Sequence, residues 1–167
     1  MAVHYPARGF TYLGALFAIG IMGAVLAATG AVFSQSAQRE KERELLHVGN
    51  QFRRAIGLYY ERTPGSVKRF PSALDELLLD TRHLTVQRYL RRLHTDPITG
   101  AAEWGYVRAP DGGIMGVHSL SVATPIKSGN FRKHNESFMN AARYTEWKFI
   151  YVPATGAPAA SKPAAAR

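Results

Sequence analysis

The sequence predicts an α+β fold in which a long N-terminal helix packs on a small three-stranded antiparallel sheet. Three observations support this prediction. Residues 9–38 carry no charge, an amphipathic stretch follows them without an intervening proline, and three short segments near the C-terminus are rich in aromatic and β-branched residues. The length of 167 residues allows one ordinary domain, or a small domain with an anchor.

The composition excludes several classes of protein. The chain has no cysteine, so a disulfide framework, a thiolate metal site and a cysteine nucleophile are all ruled out. The net charge of +9 would favour an acidic surface or a nucleic acid as partner if it covered one folded body. It lies wholly outside residues 9–38, so the two parts of the chain face different surroundings.

Residues 10–38 are predicted to form the transmembrane half of the N-terminal helix. A helix needs roughly 20 apolar residues to cross the hydrocarbon core, where its backbone groups must bond within the segment. The alternative is a cleaved secretory signal, but the apolar part of such a signal is typically only about 7–15 residues long. The sequence therefore predicts one membrane span.

Small residues recur every four positions within this span, at Gly20, Ala24 and Ala28. Such a ridge lets a second helix approach closely in lipid. The alternative is that glycine and alanine are simply common in membrane helices. We interpret the ridge as a helix-packing surface used in assembly.

Residues 39–62 are predicted to continue the helix outside the membrane. Charges of opposite sign alternate over residues 39–44 and pair at i,i+3, which is typical of a solvated helical stalk. Apolar residues then step by three or four positions, at Leu45, Val48, Phe52, Ile56 and Tyr59. They predict an apolar stripe opposite Arg53, Arg54 and Glu61, and this stripe needs a partner to pack on.

Residues 63–152 are predicted to form a small globular α+β domain. Ser72 is the expected N-cap of a short helix, and apolar spacing over residues 86–93 predicts a second segment with Arg88, Arg91 and Arg92 on its solvent side. A turn is expected at residues 96–100.

The predicted sheet has three strands. A hairpin is expected from residues 104–108 and 114–119 around a Pro- and Gly-containing turn. The third strand is expected at residues 146–152. The Pro/Ala-rich tail, residues 153–167, lacks apolar residues to pack and is expected to be disordered.

Together these features resemble type IV pilin-like proteins, and specifically the pseudopilins of type II secretion systems. The resemblance rests on the leader ending in Arg8 and Gly9, the start FTYL at residues 10–13, the uncharged run and its amphipathic continuation. The turn at 96–100 and the aromatic strand after it resemble the corresponding stretch of the major, G-type pseudopilin.

This resemblance implies how the chain is processed and placed. Residues 1–9 would be a prepilin leader that a prepilin peptidase removes between Gly9 and Phe10, methylating the new amino terminus. The protein would cross the inner membrane once, with its N-terminus cytoplasmic and its domain periplasmic. The count of basic residues beside the span favours the opposite orientation. We follow the orientation that the resemblance implies, because it rests on a longer stretch of sequence than the count of basic residues.

One position departs from the family. Pseudopilins usually have Glu at the fifth mature position, where it is thought to meet the amino terminus of a neighbouring subunit during assembly. Gly14 stands there in this sequence. Since a charge in lipid is costly unless it is paired, the loss of this Glu puts the ordinary major-subunit role in doubt. Some minor pseudopilins at the fibre tip also lack it, so the resemblance leaves major and minor roles open.

The sequence predicts neither an enzyme nor a cofactor site. The six histidines have no metal-binding spacing, and the carboxylates Glu136 and Glu146 are too few for a calcium cage. His118 and Ser119 are adjacent, but no glycine-flanked serine elbow surrounds them. We interpret Ser119 as a structural strand residue.

The predicted function is a structural subunit of a type II secretion pseudopilus. Its expected partners are other pseudopilin subunits, the prepilin peptidase, the inner-membrane assembly platform and lipid. The alternative is a minor type IV pilin that binds DNA or a substrate. Arg88, Arg91 and Arg92, or Arg132 and Lys133, would then form an anionic-partner surface. No nucleic-acid motif accompanies these residues, so nucleic acid is not the expected partner.

Overall fold

The computed structural model describes residues 9–153, with side chains described for residues 12–24 and 34–153. Residues 1–8 of the predicted leader (1–9) and residues 154–167 of the predicted tail (153–167) lie outside the described residues. The chain divides into two compact units, Met1–Glu40 and Lys41–Arg167, which are considered separately.

Helix α1 is assigned over Gly9–Glu61. In the first unit its described side chains are largely exposed, including Tyr12, Phe17 and Ile21. Among the described residues, no helix combines the length and the sustained apolarity that crossing a membrane requires.

In the second unit, α1 supplies one side of the hydrophobic core. The predicted stripe is confirmed, since each of its members is at least 96 % buried: Leu45, Val48, Phe52, Ile56 and Tyr59. Burial of side chains of this size stabilises a fold by about 1.5–3 kcal/mol each. Gly49 and Gly57 lie beside the stripe, where their lack of a side chain lets the rings of Phe149 and Tyr151 approach the helix.

Two charged residues of α1 differ from the sequence prediction. Glu42 was expected on a solvated stalk but is only 2 % exposed, and Arg53 was expected opposite the apolar stripe but is half-buried. Both lie against the segment 121–144, which folds back over this side of the helix. The spacing of α1 could not reveal this cover, because the segment that provides it is about 80 residues away along the chain.

The three-stranded antiparallel sheet has the order β1–β2–β3, with β1 at Gly105–Arg108, β2 at Ile114–His118 and β3 at Phe149–Ile150. The predicted hairpin is confirmed, with an irregularity between Val107 and Arg108. The third strand is shorter than predicted, because Tyr144–Glu146 forms a 3₁₀ turn ahead of it.

The connection between α1 and the sheet is mostly irregular. A 3₁₀ helix occupies Leu74–Leu77, and its N-cap is Ala73 rather than Ser72, whose hydroxyl donates to Glu76 instead. The second segment, residues 86–93, forms no helix; its backbone pairs with the preceding chain, as at the bridge between Asp80 and Gln87.

The turn at residues 96–100 is confirmed. The amide of Gly100 donates to the carbonyl of Asp96 at 2.7 Å, and Gly100 has a φ of +75°, a conformation that side chains disfavour. In the second unit the structure is therefore α+β, with an antiparallel sheet, helical segments and a core centred on the α1 stripe.

Candidate anionic-partner surface

The exposed face of α1 in the second unit carries a row of polar side chains, which we call the α1 ridge: Arg43, His47, Gln51 and Arg54. They recur every three or four residues, so they share one face of the helix. This face lies away from the buried stripe, and the only charges that the ridge carries are positive.

The first cleft runs between the α1 ridge and the segment 127–135. It has a volume of about 480 Å³, and its wall includes Lys127, Asn130, Phe131, Arg132 and His134. None of the described residues that line it is acidic. The cleft is therefore lined by cationic groups together with the apolar side chains of Leu46 and Phe131.

Glu42 holds one end of this wall in place. Its carboxylate accepts hydrogen bonds from the amides of Ile126 at 2.6 Å and Lys127 at 3.2 Å, and from the hydroxyl of Tyr144 at 2.8 Å. The amide of Tyr144 in turn donates to the carbonyl of Ala123 at 3.2 Å. A buried carboxylate is stable only with such donors, so Glu42 fixes the segment to α1.

Arg53 holds the other end. Its guanidinium donates to the carbonyl of His134 at 2.9 Å and to the side-chain oxygens of Asn135 at 2.8 Å and Asn50 at 3.1 Å. It also lies 5.6 Å from the centre of the Phe149 ring. Two charged residues of α1 that sequence reasoning placed in solvent therefore shape the first cleft.

The second cleft lies between α1 and residues 89–94 and has a volume of about 630 Å³. Gln51 and Arg54 line it together with Arg91, Arg92 and His94. Because Gln51 and Arg54 also line the first cleft, the two clefts meet along the α1 ridge. Again, the described lining residues include no carboxylate.

Hydrogen bonds hold the backbone of residues 89–94, which form the wall of the second cleft opposite α1. The amides of Tyr89 and Leu90 both donate to the carbonyl of Leu77, at 2.9 and 3.0 Å. The indole of Trp104 donates to the carbonyl of His94 at 2.7 Å. Arg91 and Arg92 therefore extend from a backbone that is anchored on both sides.

Asp80 and Arg82 stabilise the chain that leads into residues 89–94, the wall of the second cleft. Arg82 contacts both carboxylate oxygens of Asp80, at 2.8 and 2.7 Å, while it stacks 3.5 Å from the centre of the Tyr59 ring. Tyr89 donates to the same carboxylate at 2.9 Å. The hydrogen bonds from Arg82 lower the pKa of Asp80 to about 2.

Two histidines on this surface have a lowered pKa, first because they are partly buried and then because cations lie near them. Burial lowers the pKa of His134, and Arg53 and Arg132 lower it further. Burial also lowers the pKa of His94, together with Arg92 and His47, while Glu44 acts in the opposite direction. In both cases neighbouring cations disfavour an added positive charge.

The structure brings together part of the predicted anionic-partner surface. Arg91 and Arg92 line the second cleft, and Arg132 lines the first, but Arg88 and Lys133 line neither. Residues 86–93 are not helical, so helical spacing does not place Arg88 on one face with Arg91 and Arg92, although all three are exposed.

Sequence reasoning missed Arg43, Arg54 and Lys127. The first two could have been found from their helical spacing with His47 and Gln51. Lys127 could not, because nothing in the sequence indicates that its segment folds back onto α1.

The predicted processing and assembly residues belong to the first unit. Gly9 begins α1, while the side chains of Phe10 and Ala28 lie outside the described residues. An added Cβ at Gly14 or Gly20 would meet nothing within 4 Å. Gly20 and Ala24 lie along an open apolar groove of about 370 Å³ on the same helix.

The residues considered for catalysis have structural partners. Ser119 donates to Asp96 at 2.6 Å, and the ring Nδ1 of His118 lies 2.9 Å from the backbone carbonyl of Ser119. The hydroxyl and the imidazole are therefore not arranged as a nucleophile and its base. Within residues 12–24 and 34–153, no three His, Asp or Glu side chains cluster to hold a metal ion.

The chain was compared with family models, curated proteins and solved structures. No family model matches it, and no significant match was found among the curated proteins or the solved structures.

Proposed function

We propose that this chain is a structural subunit of a pilin-like fibre, of the pseudopilin kind that serves type II secretion. The observation that carries the proposal is the role of α1 in the second unit, where its apolar stripe is the core on which a three-stranded antiparallel sheet is built. A domain of this size needs such a helix, because the sheet alone would bury too little apolar surface.

The N-terminal sequence supports the same proposal. Residues 9–38 are uncharged, and Gly9 is the residue after which the peptidase would cut. In the proposed protein, residues 10–38 anchor the chain in the inner membrane and residues 39–62 form the periplasmic half of the helix. The apolar groove beside Gly20 and Ala24 would receive the helix of a neighbouring subunit.

The proposed role involves no chemistry. Mature subunits would bundle their N-terminal helices into a short periplasmic fibre, driven by a cytoplasmic assembly ATPase. The fibre would push folded substrates through an outer-membrane secretin. Gly14 at the fifth mature position fits a minor subunit, whose assembly would not depend on its own Glu there.

The test is the mass and N-terminal sequence of the full chain, purified from cells with and without a prepilin peptidase. With the peptidase we expect a chain that begins at methylated Phe10, and without it a chain that keeps Gly9. A chain that begins at Met1 in both strains would overturn the proposal.

Two variants separate processing from assembly. Gly9→Val should block cleavage, because the peptidase would need the glycine before the cut. Gly20→Leu should be cleaved normally but should lose crosslinks to neighbouring subunits, since a large side chain would fill the proposed helix-packing groove. Normal crosslinking by Gly20→Leu would remove the small-residue ridge from the proposal and leave processing intact.

A further inference from the structure

We propose that the α1 ridge and its two clefts bind an extended acidic segment of another protein. The inference concerns the second unit alone and does not depend on prepilin processing. It starts from three properties of the surface: its charge, the freedom of Arg54, Arg91 and Arg132, and its extent across the helix.

The charged side chains that line the two clefts are all positive. Arg43, Arg54, Lys127 and Arg132 line the first cleft, and Arg54, Arg91 and Arg92 line the second, without a carboxylate among the described lining residues of either. Arginine pairs with carboxylates through two parallel hydrogen bonds, which makes it the favoured cation for recognising them.

Several of these cations are unengaged. In residues 12–24 and 34–153, no hydrogen bond or ion pair occupies the guanidinium of Arg54, Arg91 or Arg132. In contrast, Arg53 and Arg82 are each held by several internal partners. The arginines that stabilise the fold are thus distinct from those that remain available to a partner.

The extent of the surface indicates a chain-like ligand. The clefts lie on two sides of one helix and meet at Gln51 and Arg54, so they span roughly the 10–12 Å width of a helix. One small anion would occupy a fraction of this width. An extended polypeptide advances about 3.3 Å per residue, so a short acidic run can engage both clefts.

The aromatic residues of the clefts favour a polypeptide over a single-stranded nucleic acid, which binds by stacking its bases on free rings. Phe131 packs against Phe138 and Trp147, and Lys127 lies 5.0 Å from its ring centre. The hydroxyl of Tyr89 donates to Asp80, and its ring makes an edge contact with the ring of Tyr59. The rings are thus already used within the fold.

The proposed partner is another protein. Residues 1–8 and 154–167 contain no Asp or Glu, so these two segments do not supply the acidic run. A second copy is disfavoured because each copy carries a net charge of +9. Charge complementarity therefore selects a partner with a local run of carboxylates.

The experiment uses the full chain in non-ionic detergent and a fluorescent deca-glutamate peptide, with a Gly-Ser peptide of equal length as the reference. We expect saturable binding of deca-glutamate by fluorescence anisotropy, weakening as salt rises. The double variant Arg54→Gln, Arg132→Gln should bind about tenfold more weakly. Arg143→Gln, Lys148→Gln removes the same charge from exposed positions outside both clefts and should bind within about twofold of the parent.

Three results would overturn the proposal. An equal loss in the two double variants would mean that net charge alone drives binding. Tighter binding of an oligothymidylate of equal charge, sensitive to Arg54→Gln, Arg132→Gln, would make the surface a nucleic-acid site. Self-association of the chain that this variant abolishes, measured by sedimentation, would assign the surface to a second copy.

Discussion

The hydroxyl of Ser119 donates a 2.6 Å hydrogen bond to Oδ2 of Asp96, and neither residue is exposed to solvent. The other carboxylate oxygen of Asp96 accepts the amide of Ile98 at 2.9 Å, and the hydroxyl oxygen of Ser119 accepts the amide of Ser121 at 3.1 Å. The pair therefore joins the turn at residues 96–100 to the chain that leaves β2, and it replaces the water that a carboxylate would otherwise require.

Ser119→Ala should destabilise the protein by about 1.5–3 kcal/mol, because it removes a hydrogen bond to a buried carboxylate. Urea unfolding followed by tryptophan fluorescence measures the change, since Trp104 and Trp147 are both buried in this unit. Ser121→Ala is the matched control: its hydroxyl accepts only a 3.3 Å bond from the amide of Ala123, near the surface. Equal losses in the two variants would contradict the assigned role of Ser119.

The lowered pKa of Asp80 predicts that the protein loses stability in acid. Its folded-state pKa is about 2, held there first by hydrogen bonds from Arg82, whereas an unfolded Asp titrates near pH ~3.9. The unfolded chain therefore takes up the proton first as the pH falls. The stabilisation, on the order of 2 kcal/mol, is present above pH ~4 and is lost between about pH 4 and pH 2.

The measurement is the urea midpoint of the parent and of Asp80→Asn across this pH range. The variant starts less stable, because its neutral amide pairs poorly with Arg82, but its midpoint should change less between pH ~5 and pH ~2.5. Parallel curves for the two proteins would show that the titration of Asp80 does not contribute.

Glu42 should control the order of the segment that walls the first cleft. Glu42→Ala removes the acceptor of the amides of Ile126 and Lys127 and leaves the buried hydroxyl of Tyr144 without its bond to this carboxylate. A loss of about 3 kcal/mol is expected from these bonds to a charged group. Hydrogen exchange at Ile126 and Lys127 should accelerate well beyond that in Glu44→Ala, which changes an exposed carboxylate on the same helix.

If exchange at these two amides rose equally in both variants, the effect would come from a weakened helix rather than from the lost anchor. Retained protection in Glu42→Ala would show instead that other contacts hold the segment. The same variant should weaken deca-glutamate binding, since Lys127 and Arg132 would no longer be positioned beside the α1 ridge.

The parts of the fold that the sequence could predict are those that local spacing determines. The α1 stripe from Leu45 to Tyr59 follows from a period near 3.6, and the hairpin follows from a Pro- and Gly-containing turn between two apolar runs. The turn at residues 96–100 follows from its Asp-Pro start and its glycine at positive φ.

The parts of the fold that the sequence could not predict depend on contacts between residues that are distant along the chain. In the sequence, Glu42 is one of six charged residues of alternating sign that predict a solvated stalk. It is nevertheless buried, because residues 126, 127 and 144 supply hydrogen-bond donors to it. Arg91 and Arg92 were predicted on the solvent side from the apolar spacing of residues 86–93, but the second cleft that they line is completed by Arg54 of α1. Non-local pairing of this kind leaves no periodic signal in the sequence.

We expect that replacing Gly49 even with alanine destabilises the protein. An added Cβ would overlap the ring of Phe149, which is fully buried. Gly→Ala within a helix normally stabilises by about 1 kcal/mol, whereas overpacking a tight core costs about 1–3 kcal/mol, so we expect Gly49→Ala to be net destabilising by about 1 kcal/mol or more. Gly129→Ala is the control, because its Cβ would meet nothing within 4 Å and its φ is not positive. Urea midpoints should fall for Gly49→Ala and remain level or rise for Gly129→Ala; a stabilised Gly49→Ala would show that Phe149 does not pack on α1 as described.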